Sequence, residues 1–396
     1  VVNPKQEDCK YPEDMLAGVG VAFRLAEALL TAANGMHDRY KPIVTPDDLL
    51  DLVAMGTVAD LMPLNHLENR VLVRQGLEVI NKAKRPGVHA LLEVAGIKPG
   101  TVNTTGIGFG LAPRINAAGR LDDAMLAYRL LSADGIEDAQ QWAAKLQALN
   151  VQRQELTREA QEIIRERLEA ERQIDLPLIF ASHRDFRPGI VGLVAGRVTE
   201  EFFRPAIVME EGETESRASC RSIPQFDITH ALDQCADLLV RHGGHALAAG
   251  FTVLNENIPA LKKRLLEIAE RALTGQELMP TLDLDGEVDI HQLSEALVDE
   301  FSQLEPTGNA NPPPLLMTRN VRVLECRTVG KESQHLKLKF ARAGQPPLDA
   351  IGFGLGEWAA VLPERIDVVY QLEINEWNGR QSLQLNLQDI RLPSVS

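Results

Sequence analysis

Apolar residues recur at helical spacing through the first half of the chain and alternate with polar ones over short runs in its last third. From Leu16 to Leu30 they occupy nearly every face, as in a helix buried between other elements, with Gly18 and Gly20 marking close backbone approach. After a loop through Tyr40, Thr45 is placed to cap an apolar helix that breaks near Gly56, and further helices are expected over 69–83 and 89–95. From Ala124 to Arg172 the helical pattern is almost unbroken, and its opposite charges three or four apart predict a largely solvated bridge between domains. Then the period changes. Leu176–Ala181 and Pro205–Glu210 read as strands around a helix from Ile190, a βαβ unit with a parallel pair. A strand over 215–223, a helix from Ile228 to Val240 and an amphipathic helix over 257–273 complete this part. Beyond it, runs at 282–288, 319–325, 335–340, 348–353, 368–374 and 382–390, with a turn at Asn378-Gly379, predict a small β-barrel. The fold class is therefore α/β with an appended barrel.

At 396 residues the chain exceeds one ordinary core. No apolar run is long enough to span a bilayer. The four cysteines, Cys9, Cys220, Cys235 and Cys326, are widely spaced with no Cys-x-x-Cys pair, which argues against a zinc site or disulfide framework and for a cytoplasmic setting. A formal charge of -15 speaks against general nucleic-acid affinity, yet the acidic residues gather over 155–171 and 285–305 while the glycine-rich segments carry arginines. Local basic sites survive the acidic total.

The chemistry concentrates in three places. Gly106–Asp123 crowds glycines and alanines against Arg114, Asn116 and Arg120, donors suited to an anion, with tight helix packing as the alternative. Asp60 is the single charge within Gly56–Leu64, so its carboxylate needs a metal, an arginine or backbone donors, or else caps the next turn. Gly243-Gly244-His245 and Ala248-Ala249-Gly250 let backbone approach an imidazole, and Ser219, Arg221 and Ser222 add hydroxyl and guanidinium donors in the same domain.

These segments, with Leu16–Gly20, Leu149–Arg153 and Gly189–Arg197, follow the order found in the RecJ single-stranded-DNA exonucleases of the DHH phosphoesterase superfamily, which the chain resembles over essentially its whole length. The resemblance implies the C-terminal part of a DHH domain over 1–128, a connecting helix over 129–172, a DHH-associated domain over 173–274 and an OB fold over 275–396. It implies Asp60 as a ligand of catalytic Mn2+ or Mg2+, and Arg114, Asn116 and Arg120 as holders of the DNA backbone. Ser219, Arg221, Ser222, Gly244 and His245 would bind the substrate end with its 5′ phosphate, and Trp358, Trp377 and Arg380 are candidate strand contacts, a core role for either Trp being an equal alternative. The implied activity is metal-dependent 5′-to-3′ degradation of single-stranded DNA in repair and recombination, by a monomer that works with a helicase and a single-strand-binding protein.

The departures matter as well. The family's Asp-x-Asp, further Asp and Asp-His-His motifs have no counterpart ahead of Asp60, and Asp283 and Asp285 stand in another domain. With Val1 in place of a Met, a catalytically incomplete fragment is expected, its remaining metal ligands upstream of Val1. Cys220 replaces the Gly of Ser-Gly-Arg and is expected to narrow the phosphate pocket, and the unusual Leu304–Pro312 segment to affect docking. Two alternatives stay open: a non-catalytic DNA- or protein-binding relative, and an oligoribonuclease or cyclic-dinucleotide phosphodiesterase of the same superfamily.

Overall fold

The computed structural model describes residues 2–34, 44–171, 176–377 and 379–393. It divides into two compact units, one of Val1–Val79, Asn103–Thr105 and Leu282–Ser396, the other of Ile80–Val102 and Gly106–Thr281. Most of the loop expected at Tyr40, and Asn378 of the expected turn, lie outside the described residues.

The first unit opens with helices α1 (Gly18–Asn34), α2 (Leu50–Ala59) and α3 (Leu67–Lys82). Thr45 precedes a short 3-10 turn leading into α2, and its N–H donates to the Asp48 carboxylate at 2.9 Å. Contrary to the sequence reading, α2 runs through Gly56 without breaking. A Cβ there would lie 2.6 Å from Val19 Cγ1, so this glycine lets α1 approach α2 and ends nothing. Leu16, Phe23, Leu50, Val53 and Leu72 form the core.

In the second unit α4 (Pro86–Ala95) ends at Gly96, whose φ of 69° suits the left-handed cap. A π turn over Gly106–Leu111 leads directly into α5 (Ala112–Leu121), followed by α6 (Met125–Leu131) and the 35-residue α7 (Ile136–Ala170). The expected single helix from Ala124 is thus interrupted before Gly135. Nor is α7 a solvated bridge: Ala139, Ala143, Leu146, Asn150, Thr157, Ala160, Ile164 and Leu168 make a buried stripe along its length. The charges that suggested a bridge line only its outer face.

A five-stranded sheet follows, ordered β1-β2-β3-β5-β4 from β1 (Ile179–His183), β2 (Ala206–Glu210), β3 (Glu215–Arg221), β4 (Leu239–His245) and β5 (Ala248–Leu254). The β1–β2 pair is parallel across α8 (Pro188–Phe202), as the βαβ pattern requires, and the others are antiparallel. Ala206 and Val208 pack with α7 and α8 on one face. Ile207, Cys220, Phe251 and Val253 join α9 (Ile228–Asp233) and α10 (Ile258–Leu273) on the other. The helix expected to reach Val240 stops at Asp233, because residues 239–245 pair with β5 instead. Sheet pairing overrides local helical spacing there.

Back in the first unit, the last region holds β6 (Gly286–Glu287), α11 (Glu295–Ser302), β7 (Leu316–Val329), β8 (His335–Phe340), β9 (Leu348–Gly352), β10 (Arg365–Trp377) and β11 (Arg380–Arg391). The sheet order is β10-β11-β9-β8-β7-β6, with β10 also paired to β7. Its core includes Leu336, Leu338, Phe340, Ile366 and Tyr370, the last hydroxyl sharing a 2.7 Å hydrogen bond with Thr318. The Leu304–Pro312 segment is held by two contacts: Leu64 N–H donates to Asn309 O at 2.8 Å and Thr104 Oγ1 to Thr307 O at 2.6 Å.

Candidate nucleic-acid interface

Register across the second unit's sheet decides which polar side chains meet. Arg221 pairs with Ala248 and Ala248 with His245, while Ser219 pairs with Gly250 and Gly250 with Gly243. In-register residues share a face, so Ser219, Arg221 and His245 rise from one side with only Ala248, Gly250 and Gly243 between them. Helix α8 covers part of this side through its glycines. A Cβ at Gly192 would sit 3.0 Å from Ser219 Oγ and 3.4 Å from Arg221 Nη2, and Gly196 lies 4.0 Å from Arg221 Cγ in the same sense. The Gly192/Gly196 pair is the trough along which Arg221 lies. Its Nη1 donates to Cys220 O at 2.9 Å and to Ser219 Oγ at 3.3 Å, leaving Nη2 without a described partner.

Arg120 reaches the same place from α5. Its Nη1 donates to Gly189 O at 3.1 Å, and a Cβ at Gly189 would lie 1.9 Å from Arg120 O, so only glycine allows the end of α5 to meet the start of α8. Partial burial, then the nearby Arg221 charge, lower the Arg120 pKa. Arg153 of α7 is lowered by burial, then by Arg197 of α8 and by Arg120. Guanidiniums from α5, α7, α8 and β3 thus adjoin one another: Arg221 faces Arg120, Arg120 faces Arg153, and Arg153 faces Arg197. Their described partners are neutral: Gly189 O, Asn150 Oδ1, Gln161 Oε1, Cys220 O and Ser219 Oγ. Among the described residues none of the four forms an ion pair with a carboxylate. Cationic groups held together without counter-charge suit a polyanion.

Other expected residues fall differently. Arg114 donates to Gln147 Oε1 at 2.7 Å, Gly110 O at 2.6 Å and Val94 O at 3.3 Å, tying the π turn and α5 to α4 and α7. Asn116 is exposed one turn before Arg120. Ser222 Oγ donates to Phe226 O at 2.6 Å and closes a turn. Gly244, at φ 152°, is required by the hairpin, since a Cβ would sit 2.4 Å from Ala248 O. Cys220 does not narrow the pocket: strand alternation turns it into the opposite core, fully buried, its thiol pushed up to about 12 by desolvation. Arg153 and Arg197, absent from the expected site, stood at the ends of two family-like segments.

In the first unit Asp60 is exposed, so the expected apolar confinement does not exist. It ends α2, where a helix dipole disfavours negative charge, and its carboxylate accepts no hydrogen bond from a described residue. A hard cation takes six or more oxygen donors. Among the described residues no group of three or more His, Cys, Asp or Glu could hold a metal, so Asp60 does not by itself fit the implied ion. Trp358 packs against the core of the last region, Arg380 is exposed, and the Trp377 side chain lies outside the described residues. Among the described residues no helix is long and apolar enough to cross a membrane.

Comparison with known proteins bears on these placements. A family model for the DHHA1 domain matches residues 175–271 and one for the RecJ OB domain matches 284–389. The chain is 37% identical to the single-stranded-DNA-specific exonuclease RecJ of Bacillus subtilis over 98% of its own length and 48% of that protein's. It is 36% identical to RecJ of Salmonella typhimurium, covering 98% of the chain and 70% of the relative. The crystal structure of Thermus thermophilus RecJ in complex with Mg2+ superposes with a TM-score of 0.81 at 30% identity, over 98% of this chain and 57% of that one. A structure of RecJ from the same organism contains Mn2+. The chain thus spans about half the length of the first of these relatives.

Proposed function

The chain belongs to the RecJ family of single-stranded-DNA-specific exonucleases, and from that membership we propose that its second unit is the clamp holding a DNA strand for metal-dependent hydrolysis from the 5′ end. The carrying observation is the cluster of Arg120, Arg153, Arg197 and Arg221, which has no carboxylate partner among the described residues and borders Ser219 and the α8 glycines. Arg221 and Ser219 receive the terminal phosphate, with His245 on the same face of the sheet. Arg120, Arg153 and Arg197 take the following backbone phosphates, and Asn116 lies on the approach. Arg114, Ser222 and Gly244 serve as the frame: each supports the shape of the site through its own backbone contacts.

In a Mn2+ or Mg2+ centre, Asp60 would serve as one oxygen donor. The chemistry such an ion would supply is activation of water and stabilisation of the leaving oxygen. The described donors do not complete such an ion's shell. The domain reading of 1–128, 129–172, 173–274 and 275–396 is kept, with Arg120 brought from the first to the sheet of the third, and with the OB region adding grip through Arg380 and, as a further candidate, Trp377.

Fluorescence anisotropy with paired single-stranded oligonucleotides, one 5′-phosphorylated and one not, tests the reading. The chain should bind the phosphorylated strand more tightly, and Arg221→Ala should erase that preference. Equal binding of both strands by the native chain contradicts the terminal-phosphate assignment. With Mn2+ added, the purified chain should bind without robust degradation; efficient 5′-to-3′ digestion would show that its donor set suffices.

A further inference from the structure

In the segment 106–121 folding leaves one large ring in water: Phe109 is 84% exposed, whereas Ile107 and Leu111 on either side of it are fully buried. The backbone here is the π turn, a rare form that recurs at functional sites. Its inner side is fixed, since a Cβ at Gly110 would lie 2.5 Å from Ile97 Cδ1. With Ile107, Gly110 and Leu111 pressed inward, Phe109 is held on the outer side. The helical period then places residues 109, 113, 116 and 120 along one stripe. Asn116 and Arg120 of that stripe are exposed as well. Along the axis they follow the ring by roughly 10 and 16 Å, a spacing of a few nucleotides rather than of one phosphate.

We propose that Phe109 is a stacking platform for a base of the single strand whose phosphates Asn116 and Arg120 hold. The inference rests on the backbone-clamp reading above and adds to it a contact with the bases. An exposed aromatic in line with a guanidinium matches how sequence-tolerant single-strand sites are built, because every base presents a π face. Packing does not account for the ring, since no ring contact of Phe109 occurs among the described residues. Occupancy by a protein side chain is the rival outcome.

The test uses the full chain and two oligonucleotides of equal length, one of thymidines and one abasic throughout, with native protein, Phe109→Ala, Phe109→Trp and Arg120→Ala. Phe109→Ala should lose between about five-fold and a hundred-fold in affinity for the thymidine strand, Phe109→Trp should retain it, and the abasic strand should bind native and Phe109→Ala alike. Native-like binding of thymidine by Phe109→Ala overturns the platform. So does an equal loss on the abasic strand, which would place the ring against backbone or protein. Arg120→Ala reports on the clamp separately, through weaker binding of both strands. If Arg120→Ala binds normally while Phe109→Ala does not, the clamp reading fails at that residue and the platform stands.

Discussion

Arg114 and Arg120 lie six residues apart in one family-like segment, yet their surroundings give them different work. Arg114 has protein acceptors at three of its nitrogens, whereas Arg120 makes one contact to a backbone carbonyl beside a second uncompensated guanidinium. Arg114→Ala should therefore cost stability, about 1–3 kcal/mol in denaturant unfolding, since it leaves half-buried carbonyls without donors. Arg120→Ala should leave stability nearly unchanged and weaken single-strand binding. A reversed pattern would exchange the two roles. Sequence shows which residue types are present but not which already have protein partners, as Arg114 and Ser222 do; nor does it show that Arg153 and Arg197 come near Arg120. Cys220 adds a pH prediction. Its folded pKa of about 12 lies above the ordinary 9.0 because the buried thiolate is desolvated. The raised value means that its contribution is complete below 9.0 and is lost as pH rises toward 12. Cys220→Ala should flatten the fall of stability across that window, measured by urea unfolding.

Among the elements, the βαβ unit and strands β7 to β11 were legible because apolar alternation and turn residues set them locally. What local pattern could not show was which surface an element packs against. Helix α7 carries enough paired charge to pass for a solvated span, but its small and apolar residues fall on one stripe that the unit buries. The same limitation applied to Gly56, which looked like a helix end and is a contact point, and to residues 239–245, which become a strand because β5 is there to pair with them. Gly189 is the clearest case where an element junction makes the site. A methyl group there would strike Arg120 O, so Gly189→Ala should lower stability by about 1–3 kcal/mol and also weaken strand binding by displacing Arg120. A calorimetric Tm and an anisotropy titration on the same preparation check both halves. A variant that melts and binds like the native chain would mean the two helices can separate there without consequence.

For the molecule as a whole, a net charge of -15 and a nucleic-acid clamp are compatible because electrostatics at the site are local. With a Debye length of about 8 Å in physiological salt, the charges nearest a ligand weigh more than the chain's net charge. Family membership was legible from the ordered segments, and matches to the DHHA1 and RecJ OB domain models agree with the expected fold class. The grouping of the four arginines was not, since it depends on α5, α7, α8 and β3 converging. The most direct test of the clamp is the salt dependence of single-strand binding by the native chain and by Arg221→Ala. The native chain should show log K falling linearly with log salt, and the variant should bind more weakly to every sequence with a slope shallower by about 0.7. An unchanged affinity and slope in Arg221→Ala on 5′-phosphorylated strands would contradict the assignment of Arg221 to the terminal phosphate.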